Sequence, residues 1–263
     1  MSVVVVDDSI IHYESFGRGK PIIFVHGWLG SWRYWVPVME DLAVEYRTYA
    51  LDLWGFGDSD KGHEQFDVQS YADMLVAFMD ELGLGRSSLV GHTLGAAIAT
   101  HLAAKHPERV SKVLAVALPL KADAINRKLL TAGSNDSLAR FFWHRQRPHA
   151  EVEMSLPRIA QNAIALTIQS VARLHLLELL DEVSVPLLTV YGDKDNVIDP
   201  AQADEFEGNH YTARAIVLPG AHHFPMLDQT TTFARLLRDF MDLEGMQGLH
   251  DLTIKEEWRR RTR

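Results

Sequence analysis

The residues best placed to do chemistry lie at positions 91–95, with the sequence Gly-His-Thr-Leu-Gly. An apolar run, Ser88–Gly91, leads into them, and an alanine-rich helical segment follows. Such a Gly-x-Ser/Thr-x-Gly turn between a strand and a helix is typical of a nucleophile elbow, which lifts a hydroxyl clear of the backbone. The pattern predicts Thr93 as a nucleophile and the N–H of Leu94 as one donor to a developing oxyanion.

The chain also offers an acid and a base, in that order after the hydroxyl. Asp193 and Asp195 follow one apolar run, and His222 and His223 follow the next. A hydroxyl nucleophile needs a base whose pKa lies near the working pH, and histidine is the usual choice. That histidine needs an acceptor on its other ring nitrogen, which a carboxylate supplies. From the residues alone, two acids and two histidines are candidates.

A glycine-containing loop follows another apolar run, in the sequence Ile-Ile-Phe-Val-His-Gly-Trp-Leu-Gly at positions 22–30. The backbone N–H of Trp28 is the natural second donor to an oxyanion, since this role depends on the main chain and not on the side chain. We interpret His26, in the same loop, as a structural hydrogen-bonding residue rather than a catalytic one.

The runs that carry these residues alternate with amphipathic stretches such as Val68–Leu82, whose apolar residues recur at helical spacing. Continuous apolar strands separated by helices predict an α/β fold with a mostly parallel central sheet and helices on both faces. Residues 3–14 instead predict an antiparallel hairpin that turns near Asp7 and Asp8. The predicted core strands are Pro21–Val25, Tyr49–Asp52, Ser88–Gly91, Lys112–Ala117, Leu187–Tyr191 and Ala215–Leu218.

Residues 121–180 break the alternation, because only helical patterns occur there. We predict a core of residues 1–120 and 181–244, with residues 121–180 as a helical cap over the carboxyl edge of the sheet, where ligands of α/β proteins bind. The alternative is that residues 121–180 form a helical insertion on the flank of the core and not a cap. Residues 245–263 are predicted to form a polar, solvated tail. The predicted cap helices are Ile125–Thr131, Ser137–Trp143, Leu156–Val171 and Leu174–Leu180.

Composition disfavours several classes of protein. The chain has 26 Lys and Arg against 35 Asp and Glu, a net charge of −9, so nucleic acid is an unfavourable partner. The absence of cysteine excludes disulfides and a thiol nucleophile. The N-terminus does not have the pattern of a secretion signal, and no window reaches the ~20 apolar residues of a membrane span. We therefore expect a cytoplasmic protein with a small-molecule partner, either a monomer or a homodimer.

No metal or cofactor site is predicted. The Gly-Phe-Gly sequence at 55–57 lacks the further glycine and the helix start of a dinucleotide site. Several histidines occur without metal-ligand spacing to carboxylates: His101, His106, His144, His149 and His175.

With these residues and elements, the chain resembles the α/β-hydrolase superfamily, in particular its small esterase-like members with a compact helical cap. The resemblance covers roughly residues 10–243. It implies a Thr93, Asp195 and His223 triad, because the acid lies three residues after the glycine closing its strand and the base precedes Phe-Pro. Asp193 and His222 stay as second choices or as supporting hydrogen-bond partners. The matching segments are residues 26–27, 52–59, 91–95, 195 and 223–225.

The nucleophile departs from the family pattern, which has Ser at this position, or Asp in dehalogenases and epoxide hydrolases. A hydroxyl disfavours the chemistry of those two classes, which form an ester on a carboxylate. A β-branched residue is also a poor fit to the positive φ expected at an elbow. Three interpretations stay open. Thr93 is a slower nucleophile suited to one substrate, a Ser-to-Thr change introduced deliberately to weaken or trap an enzyme, or the mark of a protein that has abandoned hydrolysis and keeps the pocket for binding.

The resemblance implies a pocket between Trp28, Thr93, His223 and the cap. We expect a hydrolase that takes a small or medium, mainly apolar ester or lactone through an acyl-enzyme. The alternatives are a ligand-binding protein with little turnover, and a lyase or cofactor-free oxygenase on the same residues, since the fold does not fix the reaction. The candidate wall residues are Trp32, Trp54, Phe141, Phe142, Trp143 and Met154.

Overall fold

A single sheet forms the centre of the protein, for which the computed structural model describes residues 2–63, 65–130, 149–207 and 210–255. Its strands within those ranges are β1 (Ser2–Val6), β2 (Ser9–Gly17), β3 (Lys20–Val25), β4 (Tyr46–Leu51), β5 (Ser87–His92), β6 (Val110–Val116), β7 (Leu187–Gly192) and β8 (Ala213–Leu218). They lie in the order β1-β2-β4-β3-β5-β6-β7-β8. β2 pairs antiparallel with β1 and β4, and the other neighbours pair parallel. The predicted fold class is confirmed.

The strands follow the apolar runs, with local exceptions. Every residue of β7 is buried, as expected for a strand covered on both faces. β4 begins earlier than predicted, because half-buried Arg47 and Tyr49 alternate with buried residues there and interrupt the apolar run. The N-terminal hairpin turns at Asp7 and Asp8, which have φ of 46° and 60°. Short polar side chains tolerate that left-handed conformation, which two-residue hairpin turns require.

Helices complete the layers around the sheet. α1 packs against α9, and α2 packs against α3. α2 starts at the predicted position because the side chain of Asp67 accepts a hydrogen bond from the N–H of Ser70 and caps the helix. The α-helices of the described residues are α1 (Val36–Leu42), α2 (Val68–Glu81), α3 (Leu94–Lys105), α4 (Arg127–Leu130), α5 (Ala150–Glu153), α6 (Ala163–Arg173), α7 (Leu176–Leu179), α8 (Pro225–Asp228) and α9 (Thr230–Met241). Short 3₁₀ helices occur at Trp32–Trp35, Ala122–Ala124, Leu156–Arg158, Leu180–Glu182, Pro200–Phe206 and Leu249–Asp251.

The segment between β6 and β7 is helical, as predicted, in most of its described residues. The prediction of one helix over Leu156–Val171 is wrong, since a 3₁₀ turn and α6 replace it. Between them the N–H of Ala160 donates to the carbonyl of Gly55 instead of continuing a helix (2.7 Å). The predicted helix Ser137–Trp143 lies outside the described residues. No single described helix has the length and apolar character to cross a bilayer, although α6 together with Leu176–Glu182, bent by 63°, passes on those criteria alone.

The expected solvated tail needs correction over its first part. Residues 245–255 lie against the core, with the side chain of Leu249 fully buried and that of Leu252 8% exposed. The guanidinium of Arg214 donates to the carbonyl of Leu249 (3.3 Å). Met246 and Ile254 also pack against the core, so four apolar side chains of this segment bury surface and hold it on the protein.

Candidate active site

Thr93 lies in the sharp turn between β5 and α3. Its backbone has φ 46° and ψ −100°, a region that a β-branched residue rarely occupies. The N–H of Thr93 donates to the carbonyl of Val116 on the neighbouring strand (2.9 Å), which holds the turn in place. Gly91 and Gly95 are required on either side, because a Cβ at each would run into the backbone of the adjoining helix or strand. The backbone is therefore that of a nucleophile elbow.

The side chain of Thr93 is completely buried. Its Oγ1 has no hydrogen-bond partner among the residues that the structure describes. The hydroxyl lies so close to Gly27 that a Cβ on that glycine would collide with it. A non-glycine residue held in such a conformation costs on the order of 1–3 kcal/mol, a strain found mostly at functional sites.

Asp195 and His223 come together from the ends of β7 and β8. The Nδ1 of His223 lies 2.8 Å from Oδ2 of Asp195, and both side chains are buried. The other carboxylate oxygen of Asp195 accepts hydrogen bonds from the N–H groups of Val197 (2.7 Å) and Ile198 (3.1 Å). These two bonds fix the carboxylate, so Oδ2 is directed at the imidazole.

The second-choice acid and base are engaged elsewhere. Exposed Asp193 accepts a hydrogen bond from the N–H of Gly220 (2.6 Å), which closes the loop between β7 and β8. The backbone N–H of His222 donates to Asp228 (2.8 Å), and the Nδ1 of its ring lies 3.8 Å from the same carboxylate. The hydrogen bonds of Asp193 and His222 therefore stabilise the loops that carry Asp195 and His223.

The backbone donors proposed for an oxyanion lie on both sides of Thr93. Leu94 is the first residue of α3, so its N–H is one of the four that have no acceptor within the helix. Trp28 lies in a turn closed by the hydrogen bond from the N–H of Gly30 to the carbonyl of Gly27 (3.0 Å). The site thus combines a hydroxyl, an oriented imidazole and main-chain donors.

Two further histidines beneath the site are buried and neutral. The Nε2 of His26 accepts the N–H of Leu53 (3.0 Å), so its Nδ1 carries the proton and donates to the carbonyl of Gly27 (2.9 Å). Burial lowers the pKa of His26, against an opposing effect of Asp52. Burial lowers the pKa of His92 well below its usual value, and the nearby charge of His223 adds to the effect. This geometry agrees with the structural role expected for His26.

These pKa shifts predict a loss of stability in acid. Because the folded pKa of His92 is depressed, only the unfolded chain takes up its proton as the pH falls below ~6.5. The free energy of unfolding should then fall by about 1.4 kcal/mol per pH unit for this group. We expect His92→Gln to lower the dependence of the unfolding free energy on pH by this contribution, in urea titrations from about pH 6.5 down to about pH 5, while His26 keeps its own contribution. His175→Gln, at an exposed position, is the control. A slope in His92→Gln as steep as that of the parent would contradict the assignment.

The predicted wall residues are only partly described. Trp54 is buried and stacks on His63 with ring centroids 3.9 Å apart. Trp32 is half-buried with its ring 5.6 Å from that of His12, and Met154 is 56% exposed. The indole N–H groups of Trp28, Trp32 and Trp54 are buried without a hydrogen-bond partner among the described residues. Three predicted wall residues lie outside the described residues: Phe141, Phe142 and Trp143.

Residues of the helical segment bind loops at the carboxyl ends of the core strands. The hydroxyl of Ser155, on this segment, lies 2.7 Å from that of Ser31 in the loop after β3. Arg158 forms an ion pair with Asp58 in the loop after β4. Burial alone would raise the pKa of Asp58. The hydrogen bonds and positive charges of Arg33 and Arg158 outweigh burial and lower this pKa.

A third contact joins the start of α5 to the loop that carries the candidate base. The Nε2 of His149 lies 3.0 Å from the carboxylate of Asp228, which also accepts the N–H of His222. The described part of the helical segment therefore lies over the same edge of the sheet as Thr93 and His223. Sequence reasoning did not find these contacts, because each joins residues far apart in the chain.

His12, Asp52 and Asp58 form a cluster whose ligand atoms lie within 4.8 Å of one another. The carboxylate of Asp52 accepts the N–H groups of Trp32 and Asp58, each at 2.8 Å. Asp58 is paired with two guanidinium groups. Since these partners already satisfy both carboxylates and add positive charge, the cluster serves to hold the loop after β4 and is a poor metal site.

The fold and the sequence are similar to those of known proteins. Residues 20–140 match the family model described as alpha/beta hydrolase fold. The chain is 26% identical to a pimeloyl-[acyl-carrier protein] methyl ester esterase of Vibrio campbellii, over 88% of this chain and 98% of that protein. It is 28% identical to the protein of the same name from Aeromonas hydrophila, over 88% and 99%. The enol-lactonase from Burkholderia xenovorans superposes with a TM-score of 0.80 at 19% identity, covering 92% of this chain and all of that one.

Proposed function

Because the chain belongs to the α/β-hydrolase superfamily, we propose that it hydrolyses carboxylic esters with Thr93 as nucleophile, His223 as base and Asp195 as the acid that orients the base. The observation that carries the proposal is the buried Asp195–His223 pair, 2.8 Å apart, whose histidine carbonyl lies 2.9 Å from Nε2 of His92, the residue before Thr93. A histidine oriented by a fixed carboxylate beside a hydroxyl is the arrangement that activates a weak nucleophile.

The reaction would proceed through an acyl-enzyme. His223 takes the proton of Thr93 on Nε2, the ring nitrogen that faces away from Asp195, while Oγ1 attacks the ester carbonyl carbon. The N–H groups of Leu94 and Trp28 hold the resulting oxyanion. The tetrahedral intermediate then expels the alcohol, which receives its proton from His223. Water, deprotonated by the same histidine, attacks the acyl group and regenerates the hydroxyl of Thr93.

The proposed substrate is a small or medium, mainly apolar ester or lactone. The methyl ester esterases among the relatives support a simple alkyl ester as the scissile group. The rings of Trp28 and Trp54, which are buried, and of Trp32, which is half-buried, support an apolar acyl chain. A cytoplasmic location and a monomeric or homodimeric state stay predictions.

Labelling with an alkyl fluorophosphonate, which forms a stable ester on an activated hydroxyl, tests the mechanism. We expect one adduct per chain, on the peptide that contains Thr93, together with measurable hydrolysis of p-nitrophenyl acyl esters. Thr93→Ala should lose both. Thr100→Ala is the matched control, because Thr100 is also buried on α3 with an unpartnered hydroxyl among the described residues. Labelling at another residue, or hydrolysis that persists in Thr93→Ala, would overturn the mechanism.

A second candidate function is ligand binding with little turnover. The observation that favours it is the buried Oγ1 of Thr93, which has no hydrogen-bond partner among the described residues and belongs to a strained β-branched residue. It predicts that apolar esters stabilise the protein against heat, that none is hydrolysed, and that Thr93→Ala binds them equally well. Turnover by the parent that Thr93→Ala abolishes would exclude this alternative.

A further inference from the structure

We propose that Tyr34 is a positioning residue for ester hydrolysis, because its hydroxyl joins the oxyanion loop (residues 26–30), the elbow and the loop that carries His223 through one chain of hydrogen bonds. The proposal rests on the proposed function above. Tyr34 is completely buried within the 3₁₀ helix that follows the oxyanion loop. Its oxygen lies 2.6 Å from the nitrogen of Gly27 and 3.2 Å from Nδ1 of His92.

The direction of each hydrogen bond in this chain follows from the chemistry of its atoms. The Nε2 of His92 lies 2.9 Å from the carbonyl of His223, which can only accept, so Nε2 carries the proton. His92 is neutral, so its Nδ1 is an acceptor. The hydroxyl of Tyr34 therefore donates to Nδ1, and its oxygen accepts the N–H of Gly27. Burial raises the pKa of Tyr34 well above its usual value, so the donor proton stays in place.

This chain fixes the backbone that carries an oxyanion donor. The carbonyl of Gly27 and the N–H of Trp28 belong to one planar peptide group, so fixing the carbonyl also sets the direction of the N–H. That carbonyl accepts from Nδ1 of His26 (2.9 Å) and from the N–H of Gly30 (3.0 Å). Tyr34 fixes the preceding peptide group through the N–H of Gly27. The φ and ψ angles of Gly27 are thus both restrained. This restraint matters because glycine has more backbone freedom than any other residue.

The same chain couples the loop to the catalytic side chains. His92 immediately precedes Thr93, and the carbonyl that His92 binds belongs to His223. A displacement of the Tyr34 hydroxyl would therefore be transmitted to the nucleophile, the base and the Trp28 donor together. Since reacting groups must be held within fractions of an ångström, loss of this restraint should affect the chemical step more than binding.

Tyr34 also packs through its ring, with centroids 5.0 Å from Trp35, 5.7 Å from His92 and 6.0 Å from Phe224. Tyr34→Phe keeps these ring contacts and removes only the hydroxyl. The matched control is Tyr191→Phe, which removes a hydroxyl that is equally buried and donates to the carbonyl of Leu118 (2.9 Å). Any effect of losing a buried hydrogen bond as such should appear in both variants.

We expect Tyr34→Phe to lower kcat about five- to tenfold with KM within about twofold, below the ~10²–10³-fold cost of deleting an oxyanion donor outright. Tyr191→Phe should leave kcat within about twofold of the parent. The second readout is ¹⁵N NMR of histidine-labelled protein, with His92→Gln to assign the resonance. The parent should show His92 protonated on Nε2 with a hydrogen-bonded Nδ1, and Tyr34→Phe should shift only Nδ1 downfield.

The two readouts separate the possible failures. If Nδ1 shifts as expected but kcat is unchanged, the hydrogen-bonded chain exists and the positioning role is overturned, while the hydrolase proposal stands. If His92 is protonated on Nδ1 in the parent, the chain of donors itself is wrong. If the parent does not hydrolyse esters at all, the proposed function fails and the positioning role falls with it.

Discussion

The substitution Asp195→Asn is expected to lower kcat for ester hydrolysis by about 10³- to 10⁴-fold while leaving KM nearly unchanged. One carboxylate oxygen of Asp195 accepts the N–H groups of Val197 and Ile198, and the other faces Nδ1 of His223. In Asp195→Asn the backbone donors require the carbonyl oxygen, so the NH₂ group must face His223. Nδ1 would then accept, Nε2 would carry the proton, and the imidazole could not take the proton of Thr93.

Asp193→Asn is the matched control for this substitution. Asp193 lies two positions away, and its carboxylate accepts the N–H of Gly220, a bond that an asparagine carbonyl can keep. We expect its kcat to lie within about twofold of the parent, with both variants unfolding in urea near the parent midpoint. Equal losses in the two variants would contradict the assignment of Asp195. So would an Asp195→Asn variant as active as the parent.

That the candidate acid and the candidate base meet could be predicted because a parallel sheet gathers the carboxyl ends of its strands at one edge. Asp195 and His223 each follow a strand that reads as an apolar run, so their meeting needs only the strand order. The choice of Asp195 over Asp193 depended on the resemblance, since spacing alone leaves both. In the structure, their hydrogen-bond partners distinguish the two residues, because Asp195 faces an imidazole and Asp193 accepts from a backbone N–H.

The role of Tyr34 could not be predicted, because it depends on contacts between distant parts of the chain. Its hydroxyl meets His92, which is 58 residues away, and His92 meets the carbonyl of His223, a further 131 residues along. No local pattern marks such partners. The same holds for the break before α6, where a tertiary hydrogen bond from Ala160 to Gly55 replaces helical ones. Periodicity reports which face of a segment is buried, not which atoms it binds.

The threonine at the elbow is the place where local preference and fold disagree. The glycines of the motif and the parallel strands predict a turn with positive φ, and Thr93 has φ 46°. A β-branched side chain opposes that conformation, and no local feature of the sequence relieves it. A local preference that is broken in this way is typical of functional sites.

Serine at position 93 is expected to raise kcat for ester hydrolysis about 10- to 100-fold, which corresponds to ~1.4–2.8 kcal/mol in the barrier. This range lies within the ~1–3 kcal/mol that a strained conformation costs. The hydroxyl of Thr93 lies close to Gly27 and has no hydrogen-bond partner among the described residues. Removing the methyl group frees rotation about χ1, so a serine hydroxyl can turn towards the imidazole without moving the backbone.

Steady-state kinetics on p-nitrophenyl esters of increasing acyl length would measure the change. The free energy of unfolding of Thr93→Ser should stay close to that of the parent, because relief of strain and the loss of one buried methyl group, ~0.8 kcal/mol, act in opposite directions. A change in kcat will therefore not reflect a change in the folded fraction. Thr100→Ser removes the same methyl group from a buried threonine on α3 and should leave kcat within about twofold of the parent. A Thr93→Ser variant no faster than the parent on every ester would mean that the pocket is built around the methyl group, and that Thr93 selects substrate rather than hinders attack.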